Sequence, residues 1–151
     1  MKKIALVLLT IAFAVGCSSA KTVKTNADSA ANSLSFEYTA STRGAYKKVV
    51  VTSDSIVTIK DHAMKDVVTK SIGKSDWNQL VAASGKLNVE GLKDIDAPSK
   101  KHQFDGALAA NLKIIRDGKE YNSTTFDHGN PPAGIKSLVD KIIMISDLDK
   151  R

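Results

Sequence analysis

Leu108-Ala-Ala-Asn-Leu-Lys-Ile-Ile-Arg-Asp-Gly-Lys-Glu-Tyr-Asn-Ser-Thr-Thr-Phe126 is the stretch of sequence that indicates the fold most directly. Apolar residues alternate with mostly polar neighbours from Leu108 to Ile114, as they do in a strand with one buried face. Asp117-Gly118 follows, a dipeptide that favours a two-residue hairpin turn. We therefore predict an antiparallel pair of strands whose return strand runs over residues 121–126.

Residues upstream of this hairpin show the same alternation. It predicts strands over residues 34–38, 46–52 and 56–60, and a weaker fourth strand over residues 67–72. Residues 76–87 carry apolar side chains at helical spacing, Trp77 among them, which predicts an amphipathic helix with Trp77 in the core. Ser75 is the expected N-cap of this helix.

The downstream residues predict a second helix. Pro131-Pro132 can stand in the first turn, and an apolar stripe from Ile135 to Ile145 continues to about Asp147. Leu92 and Ile95 suggest a short helical turn between the two halves. The element order is then β-β-β-(β)-α-β-β-α. This order predicts an α+β fold, namely a mainly antiparallel sheet of about five to six strands with both helices packed on one face.

The N-terminal residues have the pattern of an export signal. Lys2 and Lys3 give a positive start, and residues 4–15 form an apolar run of twelve residues interrupted only by Thr10. As a helix this run would span about 18 Å, too short for the ~30 Å hydrocarbon core of a bilayer. Gly16 is the small residue expected before a cleavage site, so we predict a signal peptide over residues 1–16.

Ala14-Val15-Gly16-Cys17 resembles the lipobox of bacterial lipoproteins, although the first of these positions is usually leucine in that family. The resemblance implies that Cys17 receives a diacylglyceryl group, becomes the first residue after cleavage, and is then acylated on its amino group with a fatty acid such as palmitate. It also implies that Ser18, where aspartate would mean retention in the inner membrane, directs the protein to the outer membrane. Two or three acyl chains would anchor the protein permanently, since each buried methylene contributes about 0.8 kcal/mol.

An ordinary secretory signal is the alternative, and cleavage after Ala20 would then release a protein without any cysteine. Under the lipoprotein interpretation, residues 17–33 are the lipidated cysteine and a polar tether with a reach of about 20–24 Å. Residues 34–151 form a single α+β domain held at the envelope membrane, facing the periplasm. Cys17 is the only cysteine of the chain, which excludes an intrachain disulfide.

The charge of the chain is only modestly basic. Without Lys2 and Lys3 the 22 basic residues become 20, against 16 acidic residues, which leaves a net formal charge of +4. No aromatic residue is interleaved with a basic run, so we expect no nucleic-acid binding. No P-loop, GxGxxG, HExxH or GxSxG motif occurs, and we expect neither a cofactor nor a metal.

Phe126-Asp-His-Gly-Asn-Pro-Pro132 is the segment that most resembles a site. Asp127 and His128 stand together at a strand end, where His128 can exchange a proton near neutral pH and a following helix N-terminus can bind an anion. The alternative is a structural turn with Gly129 at positive φ and Asn130 as the N-cap.

Two further residues complete the candidate ligand-binding set. Pairing around the hairpin turn places Asp127 opposite about Leu108, and therefore close to Asp105. His102 could join these residues in a carboxylate–imidazole metal site, the less favoured interpretation. Arg43 lies in the turn between the first two strands and could pair with Asp105 or Asp127.

We expect a non-enzymatic, membrane-tethered binding module of the cell envelope that contacts the lipid bilayer through acylated Cys17 and a protein partner through its domain. An exposed apolar patch or an unpaired edge strand would support this function. A small hydrolase or metal-dependent enzyme that uses Asp105, Asp127 and His128 is one alternative. A periplasmic enzyme inhibitor that acts through an exposed loop is another.

Overall fold

The structure, a computed structural model, describes residues 33–150. The predicted signal peptide, Cys17 and most of the tether lie outside these residues. Seven strands and two helices follow one another along the chain: β1 Leu34–Ser41, β2 Tyr46–Val51, β3 Ser55–Ile59, β4 Val67–Ser71, α1 Lys74–Gly85, β5 Ala109–Arg116, β6 Lys119–Asn122, β7 Phe126–Asp127 and α2 Lys136–Ser146. Two 3₁₀ turns, Val89–Asp94 and Lys101–Phe104, lie between α1 and β5.

The strands form one antiparallel sheet in the order β4-β3-β2-β1-β5-β6, and β7 also pairs with β5. The α+β class, the antiparallel pairing and the two helices are confirmed. Asp117-Gly118 forms the predicted turn, and both residues have positive φ. Among the helices within residues 33–150, none combines the length and the apolar character needed to cross a bilayer.

The core lies between one face of the sheet and the two helices. Alternate residues of the central strands, such as Phe36 and Tyr38 in β1 and Leu112 in β5, are completely buried there. Leu80 of α1 and Leu138 of α2 belong to the same cluster, so both helices cover the same face, as predicted. Trp77 is half-buried and packs against this cluster with its ring centroid 5.8 Å from that of Phe36, so its predicted packing on the core side of the helix is confirmed.

The predicted return strand over residues 121–126 is wrong in one respect, because it divides into β6 and β7. Asn111 and Leu112 of β5 face three residues, 123–125, which is a β-bulge. The side chain of Ser123 supports the bulge, since its Oγ accepts the N–H of Leu112 at 3.0 Å. The extra residue places Asp127 opposite Ala109 instead of Leu108.

Both helices begin at positions other than those predicted. Gly73, not Ser75, is the N-cap of α1, and the N–H of Trp77 donates to its carbonyl at 3.0 Å. The second helix does not begin at Pro131-Pro132 but at Lys136. A residue that precedes proline is disfavoured in the α region, so the pair of prolines keeps this segment non-helical.

Candidate functional site

Asp127 is almost completely buried, with 2% of its surface exposed. Its carboxylate accepts four hydrogen bonds: from the hydroxyl of Ser99 at 2.5 Å, from the backbone N–H of Lys101 at 2.9 Å, and from the backbone N–H and ring Nδ1 of His102 at 2.8 and 2.6 Å. Burial alone would raise the pKa of Asp127, but these hydrogen bonds outweigh burial and hold the pKa far below its usual range. The charged carboxylate therefore fastens residues 99–102 to the sheet.

Asp105 and Arg43 are not drawn into this cluster. Asp105 ends the second 3₁₀ turn with φ of 55° and is exposed, and Arg43 is exposed in the turn between β1 and β2. Neither side chain makes a hydrogen bond or ion pair within residues 33–150, so the suggested pairing of Arg43 with Asp105 or Asp127 is wrong. Asp105 ends the 3₁₀ turn that contacts β7, but its carboxylate does not share a partner with Asp127.

His128 belongs to a different network, which crosses from the sheet to the C-terminal segment. Its Nδ1 lies 2.7 Å from the hydroxyl of Tyr38, and its Nε2 lies 3.1 Å from Oδ1 of Asp149. Lys47 donates to the same carboxylate oxygen at 2.5 Å. Leu148, the neighbour of Asp149, is buried in the core. The network therefore holds the segment after α2 against the sheet.

The proton positions in this network follow from the partners of each ring nitrogen. Burial, with the charges of Asp149 and Asp140, raises the pKa of the Tyr38 hydroxyl far above its usual value, so the hydroxyl keeps its proton. From these contacts we assign Nε2 of His128 as the donor to Asp149 and Nδ1 as the acceptor of the Tyr38 hydroxyl proton. This arrangement satisfies all three side chains.

An open groove of about 730 Å³ runs beside His128. Its charged side chains are those of Lys47, Lys60, Asp66, Asp149 and Lys150. The lysines already have acceptors: Lys47 binds Asp149, Lys60 donates to the carbonyl of Lys150 at 2.7 Å, and Lys150 pairs with Asp147 at 2.7 Å. The groove therefore has mixed and largely paired charges.

Asp127 and His128 are adjacent in sequence but do not face a common space, because Asp127 does not line the groove beside His128. Asp127 is also a poor proton acceptor near neutral pH. Its pKa is low, and its carboxylate oxygens already accept four hydrogen bonds. Within residues 33–150, no three side chains of His, Cys, Asp or Glu lie close enough together to hold a metal ion. This part of the molecule joins loops to the sheet.

The sheet itself offers a different feature at β4, its edge strand. In an antiparallel pair, residues alternate between those whose backbone groups face the partner strand and those whose groups face away. The N–H of Lys60 donates to the carbonyl of Asp66 at 3.1 Å, and the N–H of Ile72 donates to the carbonyl of Asp54 at 3.3 Å. The backbone N–H and C=O groups of the even-numbered residues from 66 to 72 therefore point towards β3.

It follows that the N–H and C=O groups of Val67, Thr69 and Ser71 point away from the sheet. No strand within residues 33–150 pairs with them. The apolar residues here are exposed as well. The exposed fraction of the surface is 45% for Val67, 53% for Val68 and 60% for Met64 in the preceding loop. β4 thus presents a row of unpaired backbone groups beside exposed apolar side chains.

The opposite edge of the sheet is protected. The 3₁₀ turn Val89–Asp94 lies against β6, and Glu90 of this turn binds Lys119 of β6 at 2.8 Å. The carbonyl of Leu92 in the same turn also accepts the N–H of Thr124 at 3.0 Å. Only one of the two edges is therefore open in the described part of the chain.

Several residues in these networks were not predicted from the sequence, namely Tyr38, Lys47, Ser99 and Asp149. A signal existed for Tyr38, because a tyrosine at an inward strand position needs a polar partner for its hydroxyl. The others come from loops and from the C-terminal segment, where no periodicity fixes the neighbours. The open edge of β4 was not predicted either, because it depends on the order of the strands.

Comparison with known proteins adds no assignment. No protein-family model matches the chain, and no curated protein and no solved structure matches it. The function must be inferred from the geometry of the domain and from the N-terminal sequence.

Proposed function

We propose that this chain is a lipid-anchored binding module of the cell envelope and that it binds an extended segment of a partner protein along β4. The observation that carries the binding function is the open edge, where Val67, Thr69 and Ser71 direct unpaired backbone groups outward. An added strand would satisfy these groups, and its side chains would contact the exposed valines.

The contrast between the two edges supports this proposal. Natural sheets protect their edges, and this one covers β6 with a 3₁₀ turn and an ion pair. β4 instead keeps two exposed valines and lacks proline. Lys70 is its only charged residue, and that residue is paired with Asp147 at 2.7 Å. An unprotected apolar edge favours aggregation unless a partner covers it, so a binding role accounts for its presence.

The hydrolase alternative fits the geometry less well. It needs Asp105, Asp127 and His128 around one cleft. Asp127 is instead occupied by the loop 99–102, and Asp105 is exposed without a partner in the described chain. His128 borders a groove, but its two ring nitrogens are taken by Tyr38 and Asp149.

The test of edge binding uses proline. Because the N–H of Thr69 points away from β3, Thr69→Pro removes an outward donor without removing a β3–β4 hydrogen bond. We would select binders of the purified protein from displayed linear heptapeptides. We expect them to alternate apolar and polar residues, and to slow hydrogen exchange at the amides of Val67, Thr69 and Ser71. Thr69→Pro should weaken binding by at least about tenfold through lost strand pairing.

Thr69→Ala is the matched control, since it keeps the N–H and should keep the affinity. Thermal unfolding would verify that both variants are folded. If Thr69→Pro changes local structure, Val67→Lys provides a second test, because a lysine at an edge disfavours strand addition. Peptides that bind elsewhere, or that bind all three variants equally, would contradict edge binding.

The anchor is tested by intact mass and fractionation after expression in a Gram-negative host. We expect the protein to begin at Cys17, to carry acyl groups and to fractionate with the outer membrane. Cys17→Ser should abolish the acyl mass and the membrane association, whereas Ser19→Ala should retain both. Ser18→Asp should move the protein to the inner membrane. A soluble, unacylated species that begins at Lys21 would instead support the secretory alternative.

A further inference from the structure

The outward-facing residues of β4 are arranged symmetrically. Val67, Thr69 and Ser71 are spaced by two residues, and Thr69 stands at the centre of the strand. Two antiparallel copies of β4 can therefore be placed edge to edge about a two-fold axis at Thr69. Thr69 then faces Thr69 of the other copy, and Val67 faces Ser71 in both directions.

We propose that two copies of this chain associate through β4 in this register and join their sheets into one continuous sheet. The proposal rests on the proposed function, because it identifies the occupant of the same edge. Antiparallel residues that face each other with outward groups exchange two hydrogen bonds per pair. Thr69 with Thr69, and Val67 with Ser71 twice, would give about six hydrogen bonds, satisfying every outward group on β4.

The side chains also favour this register. Val68 of one copy would face Lys70 of the other, so the two Lys70 ammonium groups are not placed opposite each other. Asp147 binds Lys70 within each copy at 2.7 Å, which reduces the charge that the partner strand meets. Centring the axis on Val67 or Ser71 instead would leave some of the outward groups without partners. The axis at Thr69 is the one that pairs all of them.

The membrane anchor would strengthen a small interface of this kind. A five-residue edge buries less than the roughly 1,600 Å² of a standard stable interface, so the pairing should be weak in dilute solution. Copies that are confined to one bilayer surface meet at a much higher effective concentration. Self-association is therefore expected mainly on the membrane.

Cysteine cross-linking of the full chain in isolated membranes tests the register. An opposed hydrogen-bonded pair has Cα atoms about 5.5 Å apart, within the range of a disulfide. Thr69→Cys should give a disulfide-linked dimer on mild oxidation. Val67→Cys alone should not, because its copies would be about 14 Å apart. Ser71→Cys alone should not either. Co-expression of the Val67→Cys and Ser71→Cys variants should restore the cross-link.

Asn122→Cys, at an exposed residue of β6 on the protected edge, is the matched control, and we expect at least about tenfold less dimer from it than from Thr69→Cys. The proposal is overturned if Thr69→Cys forms no more dimer than Asn122→Cys, or if Val67→Cys alone cross-links as well as Thr69→Cys. If cross-linking fails but peptides still protect the β4 amides, self-association is wrong and edge binding stands. If the peptides also fail, both proposals are wrong.

Discussion

Tyr38 and Tyr46 show how position changes the work of one residue type. Tyr38 lies in β1 with its side chain in the core of the domain, and its hydroxyl donates to His128 at 2.7 Å. Tyr46 begins β2 and contacts His62 with the two rings tilted by 38° and their centroids 5.0 Å apart. Its hydroxyl makes no hydrogen bond within residues 33–150. Only the first hydroxyl therefore connects the sheet to the segment after α2.

Replacing each tyrosine by phenylalanine tests this difference. Tyr38→Phe should lower the free energy of unfolding by about 1–2 kcal/mol, because it leaves Nδ1 of His128 without its donor. Tyr46→Phe is the matched control, and it should change the free energy by less than about 0.5 kcal/mol. Urea denaturation at pH 7 measures both values. Equal effects of the two substitutions would show that the Tyr38 hydroxyl does not stabilise the fold.

Among the strands and helices, local sequence signals predicted those features that depend on residues close together in the chain. The β5–β6 hairpin was predicted because Asp117-Gly118 adopts the positive φ angles that its turn requires. The bulge at residues 123–125 was missed because a serine side chain supports it, and serine is equally common in plain loops. The late start of α2 follows from the restriction that Pro132 places on Pro131. The sequence therefore contained two opposing local signals, the preference of proline for the first turn of a helix and its restriction of the residue before it.

The candidate site was predicted only in part, and for a related reason. Asp127 and His128 were identified correctly as adjacent at a strand end. Their partners are distant in the chain: His102 lies 25 residues from Asp127, and Tyr38 lies 90 residues from His128. Such contacts depend on the order of strands and the path of loops, which no local pattern encodes. The open edge of β4 depends on strand order in the same way.

At the scale of the whole molecule, the carboxylates determine how stability depends on pH. Hydrogen bonds lower the pKa of Asp127, and hydrogen bonds from Lys150 and Lys70 lower the pKa of Asp147 to about 2. A carboxyl whose pKa is lower in the folded than in the unfolded protein stabilises the fold above the unfolded pKa of about 4. This contribution is lost progressively as the pH falls below that value towards the folded pKa.

We therefore expect the free energy of unfolding to fall between about pH 5 and pH 2, and we expect Asp127 to contribute strongly because its hydrogen bonds are shielded from solvent. Asp127→Asn should lower stability at pH 6 and flatten the acid dependence, since this side chain no longer titrates.

Asp105→Asn is the matched control, because Asp105 is exposed and has no partner within residues 33–150. The measurement is urea denaturation at several pH values. It is repeated in about 0.5 M salt, which screens ion pairs on the surface. Salt should weaken the contribution of the exposed Asp147 pairs and leave that of Asp127. If the Asp127 and Asp105 variants retain the same acid dependence, the loop 99–102 is not held by a charged carboxylate.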